Sequence, residues 1–123
     1  MIDGKLLPPA ILIVEDDQFL KLLTVDIVEG AGFVALQADN ADEAVAILEA
    51  RSDIALLLTD INMPGSMDGL KLAHAVRNRW PPIKIIVVSS RVPEFDLPTD
   101  SRFFAKPYHP EKLISEIRSL IAA

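Results

Sequence analysis

Cysteine is absent from the 123-residue sequence, which excludes a disulfide framework, a thiolate nucleophile and any metal site built on cysteine. No apolar run approaches the roughly 20 residues of a membrane-spanning helix. Positive charge is also scarce, with 12 Lys and Arg against 18 Asp and Glu, so a basic nucleic-acid-binding surface is not expected. Residues 1–9 lack the apolar core of a signal peptide. The expectation is a cytoplasmic protein with no nucleic-acid or membrane partner.

What the sequence does contain is enough apolar material for one folded domain. Half of the residues are hydrophobic and 24% are charged, a composition that excludes a disordered tail. A chain of this length has one core, so we expect a single domain over residues 1–123 with a short extension at 1–9. The start at Met1 and a closing helix favour a complete short protein over an excised domain.

Five apolar segments alternate with helical patterns along the chain. Strands are predicted at residues 10–14, 33–36, 54–59, 83–88 and 103–105. Helical spacing of apolar residues follows four of them, beginning with Phe19, Leu20, Leu23, Ile27 and Val28. Such alternation predicts an α/β fold, a doubly wound parallel sheet with helices on both faces.

The segment between the fourth and fifth strands departs from this alternation. Residues 91–102 contain Pro93 and Pro98 and show no sustained helical stripe. An irregular loop, or at most one helical turn, is predicted where another helix would be expected.

Polar side chains stand at the ends of four predicted strands. Glu15 and Asp16 follow the first strand, Asp60 the third, Ser89 the fourth and Lys106 the fifth. Parallel strands end at the same edge of a sheet, which is where open α/β folds bind their ligands. These side chains are therefore expected to converge.

The converging residue types point to phosphoryl transfer. Three carboxylates in one crevice repel one another unless a cation neutralises them. Oxygen ligands favour Mg²⁺, Ca²⁺ or Mn²⁺ over Zn²⁺, and Mg²⁺ commonly takes one or two carboxylates together with waters and phosphate oxygens. Lys106 and the Ser89 hydroxyl would hold phosphoryl oxygens, with Asp60 available as the attacking nucleophile.

Four motifs, in this order and spacing, resemble the receiver domain of bacterial two-component response regulators. They are residues 11–17 (ILIVEDD), 59–64 (TDINMP) with 67–69 (MDG), 87–90 (VVSS), and 105–107 (AKP). The resemblance covers nearly the whole chain. It implies a CheY-like, flavodoxin-like fold with five parallel strands in the order 2-1-3-4-5, and a cis peptide bond before Pro107.

The resemblance also implies roles for the motif residues. Asp60 would accept a phosphoryl group from a histidine on a sensor kinase and later lose it to water. Mg²⁺ would be held by Asp60, by Asp16 directly and by Glu15 through water, with the backbone carbonyl of Asn62 as a further ligand. Lys106 would pair with the phosphoryl group.

The resemblance implies that two further residues change conformation when the protein is phosphorylated. Ser89 would turn toward the phosphoryl group, and Phe103 lies where the family has its switch aromatic. Arg91 and Asn62 would flank the phosphoryl group and tune its lifetime.

The sequence departs from the family pattern in two places. Lys106 follows Ser89 by 17 positions, several fewer than most receivers show, and the shortfall falls where the family has a helix of its signalling face. Standard dimerisation and output coupling are therefore in doubt. Gly65 and Ser66 also lengthen the loop after Pro64.

Plainer interpretations exist for each residue alone. The run at residues 15–17 could simply cap a helix, Asp60 could be a turn residue, and Phe103 could belong to the core. His74 and His109 are expected to be surface or packing residues, and Trp80 to cover the core beneath a loop.

The favoured function is a stand-alone phosphoaccepting switch, not an enzyme beyond its own phosphorylation and dephosphorylation. Its partners would be a sensor histidine kinase or phosphotransfer protein and a downstream protein, with the chain a monomer or weak dimer. A binding-only receiver or phosphate sink is the alternative. An aspartate-nucleophile phosphohydrolase fits less well, because Asn62 stands where such enzymes carry an acid/base Asp.

Overall fold

The computed structural model describes residues 8–62, 67–91 and 96–122. Within these ranges strands and helices alternate, except that the fourth strand is followed directly by the fifth. In chain order they are β1 (Ala10–Val14), α1 (Gln18–Gly30), β2 (Val34–Ala38), α2 (Ala41–Ala50), β3 (Ile54–Asp60), α3 (Gly69–Arg79), β4 (Lys84–Ser89), β5 (Arg102–Ala105) and α4 (Pro110–Ala122).

The five strands form one parallel sheet in the order β2-β1-β3-β4-β5. This order confirms the predicted fold class. Strand β1 is buried along its whole length, and β3 and β4 nearly so, as expected for apolar strands covered on both faces. The edge strands β2 and β5 are only partly buried. Over the described residues, no helix combines the length and apolarity needed to cross a membrane.

Two hydrophobic cores lie on opposite faces of the sheet. Helices α2 and α3 cover one face, where Leu48 and Leu72 pack against inward-facing residues of β1, β3 and β4. Helices α1 and α4 cover the other, where Val28 and Ile117 pack against the alternate residues of the same strands. This two-sided packing leaves the ends of the strands open as the place for a site.

The helix starts follow ordinary capping chemistry. The side chains of Asp17, Asn40 and Asp68 accept hydrogen bonds from backbone N–H groups three residues later, at the starts of α1, α2 and α3. The predicted strand at residues 33–36 is shifted to Val34–Ala38. Phe33 does not belong to the strand, because its N–H donates to the Val28 carbonyl at the end of α1.

The exposed face of α1 differs from what the apolar spacing indicates. Phe19 is 70% exposed and Leu23 is 44% exposed, although both belong to the predicted stripe. The face that packs on the sheet instead includes Lys21 and Thr24, together with Val25 and Val28. Two polar residues can be buried there because each has a hydrogen-bonding partner.

No helix lies between β4 and β5 in the described residues 90–91 and 96–101, in agreement with the predicted irregular segment; Pro93 lies outside the described residues. The segment is fastened to α3. His74 Nε2 donates to the Asp96 carbonyl at 2.9 Å, and Arg77 Nε donates to the Thr99 carbonyl at 2.8 Å. Pro98 is buried and Leu97 packs on the core beside α3. Side chains of α3 thus hold residues 96–99 in place.

Candidate functional site

The strand register brings the predicted site residues to one edge of the sheet. Val14 lies opposite Thr59, so Glu15 and Asp60 follow side by side. Ser89 pairs with Ala105 at the ends of β4 and β5, and Lys106 follows directly. The Lys106 N–H donates to the Ser89 carbonyl at 2.8 Å. Parallel strand direction is therefore the reason that these residues meet.

The Lys106 ammonium joins the two buried carboxylates. Its Nζ lies 2.8 Å from Glu15 Oε1 and 3.2 Å from Asp60 Oδ2. Burial lowers the pKa of Lys106, but the hydrogen bond to Glu15 and the charge of Asp60 outweigh it and leave the pKa raised. Lys106 is therefore a firmly held cation at the centre of the site.

Glu15 is almost fully buried, and its carboxylate is shared between two donors. Oε1 accepts from Lys106, and Oε2 accepts from the Asp17 N–H at 3.1 Å. Burial raises the pKa of Glu15, against the opposing effect of these hydrogen bonds, and the nearby Asp60 charge raises it further. Burial and the Asp60 charge thus destabilise the ionised form of Glu15 in the protein without a metal ion. A cation bound at this place would stabilise that ionised form.

The carboxylates of Glu15, Asp16 and Asp60 form a cluster suited to a metal ion. One oxygen from each lies within 4.8 Å of the others. Glu15 and Asp60 are buried, whereas Asp16 is exposed, so the cluster opens toward solvent on one side. An all-oxygen set with an open side fits Mg²⁺, which keeps several waters and takes few protein carboxylates. The donor chemistry therefore fits the predicted metal.

Ser89 lies beside this cluster with its hydroxyl engaged locally. The side chain is buried, and its Oγ accepts a hydrogen bond from the Arg91 N–H at 3.2 Å. Asn62 is exposed two positions beyond Asp60, and Phe103 is half-buried on β5, opposite Val87. The predicted extra length at Gly65 and Ser66 lies outside the described residues.

The remaining expectations concern residues away from the cluster. His74 and His109 are both exposed, and His74 hydrogen-bonds to the Asp96 carbonyl. Trp80 packs against the core beside α3, with the Arg79 guanidinium 4.3 Å from the ring centroid. Asp17 caps α1 through its side chain, as the plainer interpretation of the acidic run expects, and its N–H donates to Glu15.

Gly69 belongs to the motif at residues 67–69, but no role at the site is predicted for it from the sequence. A Cβ atom at this position would overlap the backbone carbonyl of Asp60 and would lie 2.9 Å from Thr59 Oγ1. The Gly69 N–H also donates to the Ile61 carbonyl at 2.8 Å. The start of α3 is therefore packed directly under the end of β3, and only glycine permits that approach.

Comparison with known proteins gives a consistent set of relatives. The family model described as the response regulator receiver domain matches residues 11–118. The chain is 34% identical over 118 residues to the response regulator receiver protein CpdR of Brucella abortus (strain 2308), covering 92% of this chain and 97% of that protein.

Solved structures agree with this match. The receiver domain protein (CheY-like) from Methanospirillum hungatei JF-1 superposes with a TM-score of 0.86 at 28% identity, covering 94% of each chain. A sensor protein from Polaromonas sp. JS666 superposes with a TM-score of 0.82 at 29% identity, covering 93% of this chain and 96% of that one.

Proposed function

The chain belongs to the response regulator receiver domain family of two-component systems, and from this premise we propose that it is a Mg²⁺-dependent switch phosphorylated on Asp60. The observation that carries the proposal is the position of Lys106, whose ammonium contacts both Glu15 and Asp60 within a cluster of three carboxylates. A phosphoryl group on Asp60 would meet this cation without rearrangement of the strands.

The proposed reaction transfers a phosphoryl group from a phosphohistidine to Asp60. An Asp60 carboxylate oxygen attacks phosphorus, the phosphorus–nitrogen bond breaks, and the departing imidazole keeps the electron pair. In this proposal Lys106 holds an oxygen of the transferring group, and Ser89 holds another once its hydroxyl has turned toward it. When bound, Mg²⁺ supplies charge neutralisation for the carboxylates and the phosphoryl oxygens.

Asp16 and Asp60 are the proposed direct side-chain ligands of Mg²⁺, and Glu15 is proposed to bind it through water. The Asn62 carbonyl is the proposed backbone ligand. The open side at Asp16 leaves room for water and phosphoryl oxygens to complete the coordination. Water later hydrolyses the acyl phosphate, and Asn62 and Arg91 are proposed to set its lifetime.

The proposed conformational response begins at Ser89. Its Oγ accepts a hydrogen bond from the Arg91 N–H, and a phosphoryl group on Asp60 would offer the hydroxyl proton a charged acceptor. We propose that Ser89 turns toward this acceptor, that the segment after β4 follows, and that Phe103 on β5 changes its packing. Such a change shifts a pre-existing equilibrium between two states of the fold.

The proposed partners follow from this chemistry. A sensor histidine kinase or phosphotransfer protein supplies the phosphoryl group in the cytoplasm, and a downstream protein reads the state of the domain, which we assign to residues 1–123. Because the described residues between β4 and β5 form no helix, the downstream contact differs from one made by a helix at that place. A phosphohydrolase fits less well, because the Asn62 side chain cannot act as a general acid or base.

Beryllofluoride, which mimics a phosphoryl group on an aspartate, tests the proposed switch. Amide spectra of the full chain are compared with Mg²⁺ alone and with Mg²⁺ plus beryllofluoride. We expect large shifts at Ser89, Arg91 and Lys106 that require both reagents and that are absent in Asp60→Asn. Shifts confined to residues distant from the strand ends, or equal shifts in Asp60→Asn, would overturn the proposal.

A further inference from the structure

Tyr108 and Thr24 form a hydrogen bond that joins the segment after β5 to helix α1. The Tyr108 hydroxyl lies 2.8 Å from Thr24 Oγ1, and Thr24 Oγ1 lies 2.9 Å from the Leu20 carbonyl oxygen. A carbonyl only accepts and a threonine hydroxyl has one proton, so Thr24 donates to Leu20. Tyr108 must then be the donor to Thr24, which fixes the direction of both bonds.

These two bonds belong to a closed ring that includes the proposed phosphorylation site. From Leu20 the ring continues through its N–H to Asp17 Oδ1 at 3.0 Å, and from the Asp17 N–H to Glu15 Oε2 at 3.1 Å. Glu15 Oε1 then binds Lys106 Nζ at 2.8 Å. Lys106 precedes Tyr108 by two residues, so the backbone closes the ring.

The ring is held by packing as well as by hydrogen bonds. Thr24 and Glu15 are both buried. The Tyr108 ring meets Phe104 edge to face, with centroids 6.5 Å apart and planes at 90°, which fixes the direction of its hydroxyl. The ring therefore connects the backbone of residues 106–108 to Thr24 on one side and to the acidic run 15–17 on the other.

We propose that Thr24 and Tyr108 are positioning residues, whose hydroxyl pair holds Lys106 and the acidic run 15–17 in the mutual arrangement that phosphoryl transfer needs. The proposal rests on the proposed function of Asp60. Neither residue touches the phosphoryl group, and both act through the ring. Without the hydroxyl pair, Lys106 and Glu15 would sample positions in which Mg²⁺ and the phosphoryl group are bound less well.

The test uses variants that remove one hydroxyl while keeping the shape of the side chain. Tyr108→Phe, Thr24→Val and the double variant are compared with wild type for phosphorylation by acetyl phosphate and for Mg²⁺ affinity measured by calorimetry. Thr99→Val, at an exposed position on the segment before β5, is the matched control. Tyr108→Phe removes one hydrogen bond and Thr24→Val removes two, and we expect each single variant to lose about three- to tenfold in rate.

The two losses should not add, because either substitution opens the same ring. The double variant is therefore expected to resemble the single variants, while Thr99→Val resembles wild type. Wild-type rates in both single variants, or losses that multiply in the double variant, would overturn the proposal. Urea unfolding at matched conditions confirms that each variant remains folded.

A spectroscopic measurement separates positioning from a merely structural role. Tyr108 is the one tyrosine in the sequence, so its ring resonances are assigned without ambiguity. We expect the Tyr108 Cζ resonance to shift when Mg²⁺ and beryllofluoride are added to wild type, and this shift to be largely lost in Thr24→Val. An unmoved resonance in wild type would overturn the proposal.

The design also distinguishes failure of this proposal from failure of the proposed function. If wild type takes no phosphoryl group, the proposed function fails. The Tyr108 resonance, followed during a titration with Mg²⁺ alone, then shows whether Tyr108 is coupled to the acidic run 15–17. A Mg²⁺-dependent shift that Thr24→Val abolishes would still support the coupling of Tyr108 to the acidic run. If wild type is phosphorylated and the variants match it, only the positioning proposal fails.

Discussion

Gly69 packs directly against the backbone carbonyl of Asp60, so closely that no side chain fits between the start of α3 and the end of β3. The Gly69 N–H also donates to the Ile61 carbonyl, one residue beyond Asp60. The position of the proposed phosphoacceptor is therefore fixed by a helix start as well as by its own strand.

Gly69→Ala should displace the end of β3 and lower both stability and phosphorylation. A Cβ atom there overlaps backbone, which cannot be relieved by turning a flexible side chain, and overpacking of this kind costs about 1–3 kcal/mol. Gly30→Ala is the matched control, because a Cβ at the end of α1 meets nothing within 4 Å. Urea unfolding and acetyl phosphate labelling measure the two effects. Equal behaviour of the two alanine variants would contradict the packing argument.

Lys106→Met should separate phosphoryl transfer from metal binding. Loss of the ammonium removes the cation between Glu15 and Asp60, and we expect phosphorylation to fall by about 100-fold or more. Mg²⁺ should bind more tightly to this variant, because the remaining charge of the carboxylates is no longer offset.

Labelling kinetics and calorimetric titration with Mg²⁺ measure these opposite changes. Lys112→Met, which removes an exposed lysine from α4, serves as the control. Weaker Mg²⁺ binding in Lys106→Met would show that the ammonium shapes the metal site instead of competing with the metal.

Glu15 should make the free energy of unfolding of the metal-free protein depend measurably on pH. Burial raises its pKa above the ordinary value of 4.5, so the folded protein binds this proton more tightly than the unfolded chain does. The stability that Glu15 contributes is therefore present below the unfolded pKa and is lost as the pH rises through the folded pKa.

This effect is isolated by measuring the free energy of unfolding in EDTA for wild type and Glu15→Gln. The measurements run from below the unfolded pKa of Glu15 to above its folded pKa. We expect wild type to lose stability relative to Glu15→Gln as the pH rises above about 4.5. A relative gain by wild type over the same range would mean that Lys106 lowers the Glu15 pKa more than burial raises it.

Much of the fold could be predicted from the sequence because the central strands are nearly continuous apolar runs. The same runs end at Glu15, Asp60 and Ser89, so parallel direction alone predicts that these residues converge. The irregular segment before β5 was also predictable, since Pro98 and a missing apolar stripe argue against a helix.

Other features depend on contacts between residues distant in sequence. Lys21 is buried on α1 with Asp39 as its partner, and the buried Thr24 binds Tyr108 in addition to the Leu20 carbonyl one turn before it; no local pattern identifies Asp39 or Tyr108. Leu23 has the spacing of a core residue and yet is 44% exposed. The close approach of Gly69 to Asp60 likewise follows from the packing of α3 under β3, which spacing does not reveal.

The central claim is that Asp60 accepts a phosphoryl group in a Mg²⁺-dependent reaction. The most direct test is the intact mass of the full chain after incubation with acetyl phosphate, with and without Mg²⁺, for wild type and Asp60→Asn. We predict that wild type gains one phosphoryl group only when Mg²⁺ is present and that Asp60→Asn gains none. No gain in wild type, or an equal gain in Asp60→Asn, would contradict the account.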